Sequence, residues 1–464
     1  MLNDFAPRVG FAYSVDGKTV VRGGYGIFYS DAKYPGWGMG FSSSGFDANP
    51  NFTSSLGGLQ AATLLSAGLP QNFKKPPFID SGYLNGQSAP LYRPIDSNHV
   101  PYSQQWDLVV ERQISNNVYA SAGYTGNKGT HLYSYIAAPN VLNPALLSLG
   151  SKLNDQFAAG DTSKDGVPAP YPGWASQSSC GTSVAQALLP YPQYCGNIHA
   201  ANENKGLSEY HSLQLKVEKR ASANGYVLAS YTFSKLLDNT DSTQPTNEYG
   251  GVFSPYQRKR NWGLASSDVK QTFTAAYVYH LPFGIGKHWL NHGTFADRLV
   301  GGWETSGVVH INGAPPFAFR SSTCNVPSQF GAQCVPAILP GVNPFAQDPK
   351  HYNPKLPLFN TAAFEQTSSF NYYMGNGSRV SNIRAFPYHN EDLALYKDTA
   401  ITERLKFQLR VEVFNVWNWH IFQSGSNYST VTSVFSTDLG SNFGAWNGSI
   451  TPPRNIQLAG RFTF

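Results

Sequence analysis

Two stretches near the end of the chain alternate so strictly that few folds can accept them. In residues 404–422 (RLKFQLRVEVFNVWNWHIF), Leu405, Phe407, Leu409, Val411 and Val413 alternate with Lys406, Gln408, Arg410 and Glu412. Successive side chains on a strand point to opposite faces, so one face is apolar and the other charged. Residues 454–464 (RNIQLAGRFTF) repeat the pattern, with Ile456, Leu458, Gly460, Phe462 and Phe464 opposite Asn455, Gln457, Ala459, Arg461 and Thr463. A soluble sheet rarely leaves its last strand so unprotected. An apolar outside and a wet, charged inside suit a transmembrane β-barrel. On that reading Lys406, Gln408, Arg410, Glu412 and Arg461 face the lumen, as a solvated wall in preference to a solute path.

The same period recurs upstream. Segments 7–15, 18–29, 102–114, 118–135, 209–220, 226–237, 268–281, 301–319 and 390–398 join the two above to make about eleven strands, each near the ~9–11 residues that cross an outer membrane. Turns at Asp16, Ser115, Ala221 and Ala400 are a few residues long, whereas 30–101, 138–207, 238–267, 320–388 and 418–453 are long. Short turns on one side and long loops on the other mark bacterial barrels. A soluble domain seldom carries several structureless loops beyond ~15 residues. The expected fold is therefore all-β, an antiparallel transmembrane barrel with long extracellular loops and a periplasmic C-terminus, read as one barrel-type domain over 1–464.

Composition narrows the alternatives. Charged residues are 13% of 464, about half the usual soluble share. Mean hydropathy is −0.31, and no run approaches the ~18 apolar residues of a spanning helix. A net charge of +5 without a clustered basic stripe excludes a nucleic-acid partner. The four cysteines, Cys180 with Cys195 and Cys324 with Cys334, fall in close pairs among polar, Pro/Gly-rich residues. Local disulfides formed in an oxidising compartment are the natural reading, since ligand spacing for zinc is missing.

Other candidates reduce to ordinary roles. His288 and His292 would meet only on a helix, and their surroundings read as a turn, so no metal site is expected. Asp238, Asp241 and Glu248 lack an EF-hand spacing and read as solvated loop charge. The glycines at 23–26 and 36–40 precede no helix and cradle no phosphate. Tyr231, Phe233, Tyr277, Tyr279, Trp417 and Phe462 read as girdle or lipid-facing aromatics in preference to a sugar platform. No catalytic arrangement is visible, and neither an enzyme nor a cofactor is expected.

The opening MLNDFAPRVG has neither the basic start nor the apolar core of a signal peptide. With the C-terminus periplasmic, an odd count places Met1 outside, whereas single-chain barrels have even counts. The expectation is that further strands precede this chain in the natural molecule.

Several phrases resemble the C-terminal barrel half of Oar-like TonB-dependent receptors: APRVGFAYSVDGKTVVRGGYGIFY, SQQWDLVVERQISNNVYASAGYTGNKGTHL, YHSLQLKVEKR, ASYTFSKLLD, YHLPFGIGK, GGWETSGVVHINGAPPF, LRVEVFNVWN and the terminal Phe464. The resemblance runs through the strand regions, while the long loops match nothing comparable. It implies a 22-stranded outer-membrane barrel with an N-terminal plug, driven by the TonB complex. It also implies that Phe462 and Phe464 form part of the signal read by the barrel assembly machinery. Plug, TonB box and about half of the strands do not occur here. Function is expected to be the uptake or export of a bulky solute, an oligosaccharide or peptide, held by the extracellular loops. The alternative is a self-contained passive porin or surface adhesin.

Overall fold

The computed structural model describes residues 4–30, 54–64, 66, 68, 99–134, 136, 138–178, 180–195, 198, 203–221, 225–240, 253–284, 287–289, 300–368, 372–402, 404–422, 436–440, 442–448 and 450–464. Fourteen strands appear among them: β1 (Arg8–Asp16), β2 (Thr19–Tyr29), β3 (Tyr102–Ser115), β4 (Val118–Leu132), β5 (Ser163–Lys164), β6 (Val167–Pro168), β7 (Gly206–Ala221), β8 (Gly225–Asp238), β9 (Gly263–Leu264), β10 (Gln271–His280), β11 (Trp303–Asn312), β12 (Tyr388–Ala400), β13 (Lys406–Phe414) and β14 (Asn455–Thr463). Eleven of these are long, and they pair antiparallel in the order β1-β2-β3-β4-β7-β8-β10-β11-β12-β13-β14, with β9 added to β8 and β5-β6 a separate small hairpin. Each long strand pairs with the next long strand in the chain, so the wall is a meander. No pairing joins β1 to β14 among the described residues, and the barrel is not closed.

Register confirms the two-faced pattern. Phe407, Leu409, Val411 and Val413 stand opposite Phe462, Gly460, Leu458 and Ile456 on one face, while Gln408 opposes Arg461 and Glu412 opposes Gln457 on the other. Every described long strand shares this division. Two strands are shorter than the alternation suggests. Segment 301–319 is strand only over Trp303–Asn312, because Pro315 and Pro316 cannot donate to a ladder. Segment 404–422 is strand only over Lys406–Phe414, after which Asn415 and Asn418 turn the chain at positive φ.

The apolar residues of the wall do not form the protein's buried core. Leu108, Val110, Leu213, Leu215, Val217, Leu458 and Phe462 are all exposed. Among the described residues, every buried hydrophobic side chain lies outside the eleven long strands. That inversion fits a sheet whose apolar face meets lipid and whose core is built elsewhere.

The core is in the long connections, which are folded rather than structureless as expected. Phe317, Phe319, Phe359, Phe364 and Phe443 form the largest cluster, with Phe319 and Phe364 ring centres 4.7 Å apart. Leu142, Leu147 and Leu153 pack with Phe330 and Met374 in a second. Phe157 and Trp174 meet edge to face at 5.4 Å in a third. The connection 313–387 is common to most of this packing. It bonds the 133–205 connection through Leu142 N–H to Gln329 O, 2.8 Å, and the 415–454 connection through Arg320 N–H to Thr437 O, 3.0 Å.

Candidate functional site

Where the connections 313–387 and 415–454 meet beside the end of β12, a cleft of about 610 Å³ opens. Its walls are Tyr352, Phe386, Trp419 and Phe422, and its edge carries Lys350, His351, His389 and His420. A second cleft, about 470 Å³, backs onto the same Phe386 and Phe422. The aromatic wall is itself packed: Tyr352 meets Phe422 edge to face at 4.9 Å and Phe386 at 5.1 Å, and His389 meets Trp419 at 4.5 Å. Burial pushes the Tyr352 hydroxyl up to about 12. Asp348 accepts from the Lys350 backbone N–H and lies 3.0 Å from the His351 ring, and these two contacts, in that order, hold its carboxyl below the usual range.

Arg384 also borders the cleft, but its charge is committed elsewhere. It pairs with Asp268 and donates to the Asp268 and Ala314 carbonyls at 2.7 and 2.8 Å. Arg379, 2% exposed on its side chain, pairs with Asp238 and donates through Nε to the Asn261 carbonyl at 2.8 Å. Arg260 donates to the Gly375 carbonyl at 2.9 Å and lies over the Phe253 ring. These three arginines fasten the 313–387 connection to the one between β8 and β10. Asp238 is thus a buried ion-pair partner, not solvated loop charge, because Arg379 brings it a guanidinium that no local spacing announces. Asp241, Glu248 and His292 lie outside the described residues, and the His288 ring lies 5.3 Å from that of Trp289, tilted by 48°. Among the described residues no three His, Cys, Asp or Glu side chains gather as a metal site.

Cys180 is bonded to Cys195 and Cys324 to Cys334, with Cα atoms 5.0 and 6.0 Å apart, one bridge in each of two long connections. The residues read as lumen-facing share the polar face. Lys406 stands opposite Thr463 and Arg410 opposite Ala459. Arg410 pairs with Glu412 and lies over the Tyr396 ring at 5.0 Å, and Gln408 donates to Asp398 at 3.0 Å. Further along the same face, Glu218 pairs with Arg220 at 2.6 Å and Lys216 at 3.6 Å, and Arg22 pairs with Glu111. The polar face is thus a lattice of short ion pairs. Phe462 packs on Phe407, 4.8 Å between ring centres, on the apolar face, and Phe464 is 95% exposed.

Tyr231, Phe233, Tyr277 and Tyr279 stand on the apolar face, opposite Leu215, Leu213, Gly307 and Thr305, and Trp417 lies past the end of β13; one contact among them could not be shown by alternation. Tyr277 lies across Gly307 and donates to Glu391 at 3.0 Å, while Trp417 donates to the other oxygen of that carboxylate at 2.6 Å. A chemical reading of the clefts is one of binding. Aromatic walls take flat or apolar groups, and imidazole and ammonium groups at the rim offer hydrogen bonds and positive charge.

An antiparallel meander with an apolar exterior, a charged opposite face and folded connections at one end defines the class of outer-membrane β-barrel walls. The chain belongs to the outer membrane beta barrel domain family, whose family model matches residues 1–457. No curated protein matches it. Among solved structures it is similar to the Pseudomonas aeruginosa pyoverdine receptor FpvA, at 10% identity and a TM-score of 0.41, covering 99% of this chain and 32% of that one. It is also similar to the Escherichia coli outer-membrane transporter YddB, at 12% identity and a TM-score of 0.39, covering 96% and 38%. The siderophore receptor PiuA of Acinetobacter baumannii gives 8% and 0.37, covering 99% and 35%. The chain spans about a third of the length of these structures.

Proposed function

We propose that this chain is part of the wall and loop assembly of a TonB-dependent outer-membrane receptor, binding a bulky solute at its long-loop end and passing it across the membrane. The long connections face the exterior and the short turns the periplasm. The observation that carries this reading is the cleft of about 610 Å³ set in a loop assembly with its own core and bridges. A binding surface held rigid before the solute arrives avoids the cost of ordering it on contact. The TonB dependence rests on the sequence phrases that resemble Oar-like receptors. Among the described residues the outer edges of β1 and β14 are unpaired, which supports closure by additional strands, since unpaired backbone groups in lipid cost several kcal/mol each.

The test is the intact mass of the outer-membrane species that carries the peptide 454–464, together with protease treatment of whole cells. The reading expects a mass well above the 50.7 kDa of this chain and cleavage within the long connections but not the short turns. A detergent-stable barrel of 50.7 kDa would sink the transporter reading in favour of a passive pore or adhesin. Cleavage confined to the short turns would reverse the orientation.

A further inference from the structure

The apolar face of the wall carries a few charged residues, and their positions are not random. Following the ladder sideways from Arg112, the residues directly opposite are Ala120, Val217, Ala229, Ala275, Val309 and Glu391. Opposite residues share a face. Relative to this row, Lys219 lies two residues toward the short-turn end on β7, two strands from β3. Tyr279 lies four residues along on β10, four strands away, and Lys397 six along on β12, six strands away. Arg112, Lys219, Tyr279 and Lys397 therefore fall on one straight line that advances one residue per strand.

One residue per strand is a rise of about 3.3 Å for a sideways step of about 4.8 Å, an inclination of about 35°. Strands of membrane barrels tilt by roughly 35–45°. The line is thus level when the wall stands in a bilayer. A parallel line runs along the other border. Gln104, His211, Lys235, Gln271 and His389 lie on the same face, eight residues from the first line on β3, β7 and β12. Eight residues on an incline of about 35° give a height of about 22 Å, close to the ~25 Å apolar band of such barrels.

The two borders differ in charge. The long-loop border is mixed and mostly neutral, and the nearby Lys128 pairs with Glu209 at 3.4 Å. The three ionised groups on the short-turn line are cations, and the carboxylate beside them is Asp16, opposite Thr19 on the neighbouring strand pair. Lys219 is exposed, and Arg112 is 57% exposed on its side chain, with Thr19 Oγ1 at 3.0 Å and Asp16 only at 3.9 Å. Lys397 donates to the Gly301 carbonyl and lies over the Trp303 ring at 5.4 Å, an amine carried at the level of an interfacial indole. Amines and guanidinium groups on such stems reach from an apolar band to the headgroups.

We propose that Arg112, Lys219 and Lys397 form a cationic row that binds the phosphates of anionic phospholipids in the leaflet at the short-turn end. The proposal rests on the reading of the apolar face as lipid-facing. The charge sign, the common level and the adjoining apolar band point to a lipid headgroup.

The test is native mass spectrometry of the full-length receptor purified in detergent, with added phosphatidylglycerol or phosphatidylcholine of the same acyl chains. The wild type should retain phosphatidylglycerol at lipid concentrations on the order of tenfold lower than phosphatidylcholine. In R112Q/K219Q/K397Q that preference should vanish while phosphatidylcholine retention stays the same, and R112K/K397R should keep it. If the triple variant does not assemble, K219Q, at an exposed site, should reduce the preference by itself. Equal retention of the two lipids by the wild type would overturn the proposal, as would an unchanged preference in the assembled variant. Full solubility without detergent and no retained lipid would instead overturn the membrane reading beneath it.

Discussion

Arg379 shows what a single buried charge can do in a loop assembly. Its guanidinium reaches the Asp238 carboxylate and the carbonyls of Asn261, Asp238 and Leu264, so that Nε and Nη2 both find acceptors. Arg379→Leu would leave Asp238 buried without its counter-charge, which costs about 3–5 kcal/mol. Hydrogen exchange should rise across 253–268 and 374–387 with the strands unchanged. Glu203 gives a pH-dependent counterpart. It is 5% exposed and accepts from Ser134 Oγ at 2.8 Å and Ile136 N–H at 2.7 Å, yet burial raises its carboxyl above the ordinary 4.5. The folded loop then holds a proton that the unfolded chain has already released, so its stability falls as pH rises from about 4.5 through the folded value. Proteolysis near 132–136 and 203–205 should accelerate over that window, and Glu203→Gln should flatten the dependence. Neither role was legible in the sequence. Asp238 and Arg379 are 141 positions apart, and nothing in the neighbourhood of either residue marks the other as its partner.

At the scale of the element, the alternation foretold nearly everything about the wall. Period two is a property of consecutive residues, so it survives in the sequence without knowledge of partners. The register and meander then follow from short turns. The exchange between aromatic rings and glycine on neighbouring strands was hidden, because it requires the register itself. A Cβ on Gly307 would stand 2.5 Å from the Tyr277 ring and hydroxyl, and one on Gly126 would stand 2.3 Å from Trp106. These rings lie flat where the neighbour has no side chain. Gly307→Val would push Tyr277 off and break its bond to Glu391, at about 1–3 kcal/mol. Tyr277→Phe, which loses only the hydroxyl, should cost about 0.5–1.5 kcal/mol. Thermal melting in detergent should order them in that sense; equal losses would mean that the ring's position contributes nothing beyond its hydrogen bond.

For the whole molecule, the cysteine pairs were legible as local bridges, while the loop cores around them were not. Phe317, Phe359 and Phe443 come from segments with no repeating period, and their meeting depends on strands that bring distant segments to one end. Wall and loop assembly should therefore separate on perturbation. Cys180→Ser with Cys195→Ser opens a bridge across 15 positions, worth about 3 kcal/mol. Deuterium uptake should increase over 156–195 with no change in the strands, and loss of the entire folded barrel would contradict that separation.

The linking of connections far apart in sequence also governs the order of events during biogenesis. Leu142 bonds Gln329 and Arg320 bonds Thr437, so neither contact can form until the intervening strands have been laid side by side. A newly made chain must therefore travel with its future lipid-facing residues and its loop phenylalanines both uncovered. Such a chain folds slowly and aggregates readily. In transit it has two separate adhesive surfaces to keep apart until the wall is laid down.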